Sequence, residues 1–142
     1  VKREDINILY FDQFGFDFPG NALIASQKMI NEEPELCKAV ALGTARAWRA
    51  TYKDTQAAID ATVAREPLLK PDVELQRMRF ILETHVETES VRQNGIGHLD
   101  PERISKGLKL MAEGFGWQKV PELADFYDAS FLPDAEELKI LS

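Results

Sequence analysis

The sequence is poor in the residues that most often carry chemistry: one cysteine, Cys37, and two histidines in 142 residues. A single thiol excludes an internal disulfide and any multi-cysteine metal site. Beside Leu36, on a stretch that reads as helix, Cys37 is expected to be a small buried hydrophobe rather than a nucleophile. Basic residues are also scarce, with 17 Lys and Arg against 24 Asp and Glu and a formal net charge of −7. That balance repels polyphosphate and anionic lipid, so no nucleic acid partner is expected. No apolar run approaches the roughly 20 residues that a bilayer span requires, so no direct membrane insertion is expected either. The opening "VKREDINILYFD" has neither the apolar stretch nor the small-residue cleavage site of a secretory leader. Internal repeats and low-complexity linkers are absent.

What is present is the composition of a globular protein, 44% hydrophobic and 29% charged, at a length that buries roughly two thirds of the unfolded surface in one domain. The aromatic residues are unevenly spread. "YFDQFGFDFPGN", Tyr10 to Asn21, holds five rings in twelve residues, from a total of eight Phe, three Tyr and two Trp. Phe14, Phe16 and Phe18 alternate in a segment that Gly15, Pro19 and Gly20 keep from being a long strand. Two outcomes fit such a loop and are compatible with each other. The rings bury against the domain, or they line a pocket with Asp17 and Asn21 as polar anchors.

The other candidates for chemistry are weaker. Asp12 and Asp17 could form an acid–base pair only in environments that push their pKa values apart, and support of turn geometry explains them better. His85 and His98 lack ligand spacing and read as structural histidines. "GIG" at 95 to 97 lacks the third glycine and preceding strand of a dinucleotide loop, and Gly15 and Gly20 lack the Lys and Ser or Thr of a phosphate loop. No catalytic residue, metal or cofactor is expected.

Residues 5 to 11 alternate as a strand does, and "NALIAS" at 21 to 26 is a second strand candidate. Ser26 should cap a short helix through "QKMINEE", and Pro34 should open a longer one to about Tyr52, with Leu36, Val40, Ala47 and Trp48 as its buried stripe. Gly43 and the nearby alanines should admit another helix closely. Asp54 caps the next helix, and "EPLLKPD" breaks the pattern. "VELQRMRFILETHV" places Leu75, Met78, Leu82 and Val86 on one side, and "NGIGHLDPER" then turns into a helix capped by Asp100. There Ile104, Leu108, Met111 and Phe115 form an amphipathic series that Gly114 or Gly116 should end. A one-turn helix, an extended aromatic segment and a short helix after Pro133 complete the chain. Two strands are a poor sheet alone and want partners.

The order of these features resembles the C-terminal portion of ABC-transporter substrate-binding proteins of the hydroxymethylpyrimidine (thiamine-precursor) synthesis-like family. The residues that carry the resemblance are Phe14, Gly15, Asp17, Gly20 and Asn21, "PEL" at 34 to 36, Trp48, "DTQAAID" at 54 to 60, "GIGHLDPERISKGLKLMAEGFG" and the closing "FYDASFLP". The resemblance implies an α/β fold, mostly helical here. It would be the C-terminal part of a two-lobed type II periplasmic-binding-protein fold, with one or two strands near the start and about five helices. Residues 1–25 would hold the strands and aromatic loop near the lobe crossing, and residues 26–142 the helical part of a single segment.

The implied function is binding of a small organic ligand in the periplasm or another extracytoplasmic space and its delivery to an ABC transporter permease. That ligand would be a pyrimidine or thiamine precursor, a sulfonate or a related nitrogen compound, bound without catalysis at Phe14, Phe16, Asp17, Phe18 and Asn21. Pro19 and Phe14 stand where the family has Tyr, which points to a more apolar, stacking pocket. Exposed strand edges could dimerise the isolated chain. The alternatives are a free-standing helical protein-interaction module whose aromatic loop docks a partner, and a pyrimidine-precursor biosynthetic enzyme.

Overall fold

Proline and short polar side chains divide the chain into helices. The computed structural model describes residues 5–16, 18 and 20–141. Among the described residues seven α-helices follow one another: α1 (Gln27–Glu32), α2 (Pro34–Lys53), α3 (Thr55–Arg65), α4 (Pro71–Ile81), α5 (Glu89–Asn94), α6 (Pro101–Phe115) and α7 (Ala135–Leu138). Side-chain oxygens accept from otherwise orphaned N–H groups at four helix starts: Ser26 from Met29, Asp54 from Ala57, Thr88 from Val91, and Asp100 from Glu102 and Arg103. Pro34, Pro71 and Pro101 occupy first-turn positions, where no intrahelical donor is needed. Gly116, at φ 66°, ends α6 in the left-handed region.

The expected strands do not form. Among the described residues there is no strand, so residues 5–11 and 21–26 belong to no sheet. Ile6, Ile8 and Leu9 are 52%, 48% and 74% exposed, and Ile24 is 94% exposed. Strand propensity measures fit to a pleated, half-buried surface, and here no neighbouring strand supplies that surface. The α/β reading and the two-lobed type II periplasmic-binding-protein fold are therefore corrected to a helical architecture.

The chain divides into two compact units. The first is Val1–Leu23 with Leu99–Asp128, and the second is Ile24–His98 with Ala129–Ser142. In the first, α6 carries the core through Ile104, Gly107, Leu108 and Ala112. Met111 is half-buried, but Phe115, expected inside, is 70% exposed and stacks on Trp117 at 6.2 Å. Gly107 takes the buried place because Phe18 lies across it. A 3₁₀ turn, Leu123–Asp125, is closed by a reciprocal capping box between Glu122 and Asp125.

In the second unit α1 to α4 pack in sequence, and α7 packs on α2. Leu82, Val86 and Ile140 form a buried cluster against Trp48, Tyr52, Met78, Ile81, Val91, Ile96 and Leu141. The helix expected through Val86 changes register: Leu82–Val86 is a π-helical turn, closed by the Glu87 N–H on the Leu82 carbonyl at 2.8 Å. Along α2 only part of the expected stripe is covered, with Trp48 against the buried cluster. Ala45 is 3% exposed, whereas Leu36 and Val40 are 48% and 49% exposed and Ala47 is also outside. Gly43 admits no close neighbour, since a Cβ there would meet nothing within 4 Å.

Candidate functional site

The aromatic segment is built from its backbone outward. Phe11–Phe14 forms a 3₁₀ turn, and Gly15, at φ 83°, reverses the chain in a conformation that only glycine adopts without strain. The Gly15 N–H donates to the Asp12 carbonyl at 3.0 Å, and the Phe16 N–H donates to the Phe11 carbonyl at 3.0 Å. This turn brings the rings together in series. Phe11 meets Phe16 edge to face, with centroids 6.1 Å apart at 75°, and Phe16 meets Phe18 at 5.6 Å and 38°. Such pairs are worth about 0.5–1.5 kcal/mol each beyond the area they bury.

The series ends on α6. A Cβ placed on Gly107 would fall 2.8 Å from Phe18 Cδ2 and closer still to Cε2, so the absence of a side chain at Gly107 makes the seat for this ring. Phe16 and Phe18 are half-buried, whereas Phe11 and Phe14 are 75% and 67% exposed. Of the site residues expected from sequence, Phe14 therefore points outward, Phe16 and Phe18 brace the segment, and Asn21 is exposed beyond it. Asp17 lies outside the described residues. The structure brings Phe11 into the group, which the sequence reading left out. Its signal was its place five residues before Phe16.

Other groups show where chemistry is and is not assembled. His85 is exposed, edge-on to Phe80 at 6.3 Å, and His98 is exposed as well. Cys37 is a free thiol, half-buried. Among the described residues no three His, Cys, Asp or Glu side chains are grouped to hold a metal. Burial pushes the Tyr127 hydroxyl above its ordinary pKa, opposed by a backbone hydrogen bond at Leu99. A shallow depression of about 330 Å³ in the second unit is lined by Tyr52, Thr55, Arg79, Leu82, Glu83 and Glu87, and contains none of the expected site residues.

The densest polar contact joins α2 to residues 136–139. Arg46 donates to the Glu137 carboxylate, its shortest contact 2.6 Å, and Arg49 donates to the same carboxylate at 3.1 Å. Arg49 also donates to the Glu136 and Lys139 carbonyls, at 2.6 and 3.1 Å. The hydrogen bond from Arg46, with the charges of both arginines, holds the Glu137 carboxyl below the ordinary carboxylate range against the opposing effect of desolvation. Arg46 is raised in turn, chiefly by the same hydrogen bond.

Comparison with known proteins gives one partial likeness. A family model described as NMT1/THI5 like matches residues 1–58, less than half of the chain. No curated protein and no solved structure matches. The matched stretch includes both segments expected as strands, and neither is a strand in the structure. The likeness to a substrate-binding protein is thus not supported by the fold. Function as the solute-binding component of an ABC importer for a thiamine precursor requires a sheet-cored cleft between two lobes, and the described residues supply no sheet. Docking on an ABC transporter permease rested on that fold, and dimerisation through strand edges has no strand to use. The periplasmic or extracytoplasmic location was implied by the same resemblance; what the described residues show is that no helix is long and apolar enough to cross a membrane. The helical interaction module fits the architecture better.

Proposed function

We propose that the chain is a helical protein-interaction module that docks a protein partner through the aromatic segment, by binding alone and without catalysis. One observation carries this reading: two phenylalanines, Phe11 and Phe14, are held largely in water by a segment that is itself fixed to α6 through Phe16 and Phe18. Among the described residues nine hydrophobics are buried while seventeen large ones are exposed, and eleven of those seventeen lie in the first unit. Isolated exposed leucines are ordinary, but a concentration of this kind is what partner surfaces carry. Covering the two rings would contribute about 1.5–3 kcal/mol each, enough to make them the anchors of an interface. Asn21 supplies a polar rim.

The test replaces the outward rings and keeps the bracing ones. Phe11→Ser with Phe14→Ser should leave the thermal unfolding of the chain within a few degrees of the parent, because neither ring is buried. A photo-reactive phenylalanine at position 23, on the same segment, should cross-link to one discrete partner in cells that make the protein, and the double substitution should abolish that product. Cross-linking that persists unchanged in the double variant would remove the aromatic segment from the binding role.

A further inference from the structure

The contact between α2 and residues 134–141 has the form of a groove holding a peptide. α7 is a single turn of four residues, too short to hold its own shape, and Lys139 beyond it is extended. What fixes the segment is directed at its main chain. Arg49 donates to the Glu136 and Lys139 carbonyls, and the Ile96 N–H donates to the Leu138 carbonyl at 3.0 Å. Three side chains then enter separate places: Glu137 lies between Arg46 and Arg49, Leu138 sits against Gly95, and Ile140 joins the buried cluster with Leu82 and Val86. Leu138 and Ile140 are 8% and 1% exposed. Main-chain bonds that hold any sequence, with alternate side chains read for charge and shape, are how peptide-binding grooves work.

We propose that this face of the second unit is a peptide-recognition groove, occupied in this structure by the chain's own residues 134–141. The groove would accept from a partner protein a segment with an acidic residue followed by Leu and, two positions later, Ile. Charge selects the occupant: an arginine pair receives a carboxylate, so a basic peptide is refused. The proposal is independent of the aromatic segment, which lies in the first unit. Residues 134–141 compete with a partner at an effective concentration on the order of millimolar. The groove opens to a second peptide only in the fraction of molecules whose own segment has left, which lowers the apparent affinity by that fraction.

The experiment uses a fluorescein-labelled peptide, Asp-Ala-Glu-Glu-Leu-Lys-Ile-Leu, copied from residues 134–141, and the full chain with and without Leu138→Ser, which weakens the internal occupant. The peptide should bind the Leu138→Ser chain at least tenfold more tightly than the parent. Arg49→Gln in that background, or Lys in place of the peptide's second Glu, should remove the binding. In the parent chain the Ile96 amide, which donates to the Leu138 carbonyl across this contact, should exchange hydrogen faster than amides in the middle of α2 and α4, by opening of this segment alone. The proposal falls if the peptide fails to saturate a Leu138→Ser chain that keeps its helical circular dichroism. It falls equally if Leu138→Ser abolishes that signal, or if the Ile96 amide exchanges as slowly as the helix interiors, because the segment is then inseparable core.

Discussion

Gly95→Ala is expected to destabilise the second unit by about 3–4 kcal/mol, the largest effect of any single methyl group in the chain. Gly95 has φ 82° and ψ 172°, a backbone region essentially reserved for glycine, and placing alanine there costs about 1–3 kcal/mol in strain alone. The new Cβ would lie 2.5 Å from Leu138 Cβ and 2.9 Å from the Leu138 carbonyl oxygen. Those are not the far ends of a flexible side chain, so relief requires Leu138 to move as a whole, and overpacking of that kind costs about 1–3 kcal/mol. The Ile96 to Leu138 hydrogen bond would be lost with it. Gly43→Ala is the matched control, since a Cβ there meets nothing and the position is inside α2. It should stabilise by about 0.5–1 kcal/mol through helix propensity. Urea unfolding followed by Trp48 fluorescence, in a chain with Trp117 replaced by Phe, measures both. A loss below about 1 kcal/mol at Gly95 would mean that the close approach of Leu138 is not present in solution.

Gly107→Ala should have the second largest effect, and its cause should be a single ring. Inside α6 the substitution gains about 0.5–1 kcal/mol of helix propensity, as it would at any open position. Here the added methyl occupies the place of the Phe18 ring. The ring must leave, and with it the series through Phe16 to Phe11. A net loss of about 1–2 kcal/mol in the first unit is expected. In a chain carrying Phe18→Ala the same change should become stabilising, a coupling of about 2 kcal/mol in a double-mutant cycle read by Trp117 fluorescence. A cycle that closes with no coupling would show that Phe18 does not rest on Gly107.

Much of the helical architecture was legible because its signals are local. Ser26, Asp54 and Asp100 each cap a helix where expected, and Pro34 and Pro101 open helices at tolerated positions. α5 escaped notice because "ESVRQN" is short and has no apolar period, although Thr88 followed by Glu89 is a readable start signal. Burial was less legible, since it depends on what arrives from elsewhere. Along α2 the expected stripe at Leu36 and Val40 meets no covering element, and the small Ala45 is buried instead. The π-helical turn at Leu82–Val86 has no sequence signature in this chain.

The strand expectation failed for a related reason. "DINILYF" alternates as a strand does and "NALIAS" is an apolar strand candidate, but such patterns describe how a segment would sit in a sheet and not whether a sheet is present. The candidate site was half legible. The excess of rings marked a segment in which Phe16 and Phe18 converge, yet the seat at Gly107 lies far along the chain and no spacing announces it. Arg46 and Glu137, 91 residues apart, are equally beyond local reading.

The central claim is that residues 5–11 and 21–26 stay outside any sheet and that Phe11 and Phe14 stand in solvent. Backbone NMR of the full chain tests it most directly. Helical secondary shifts should cover α1 to α6, with nuclear Overhauser contacts from the Phe18 ring to Gly107 and no Hα–Hα contacts between residues 5–11 and 21–26 or from either segment to another. Cross-strand Hα–Hα contacts involving either segment would contradict the account.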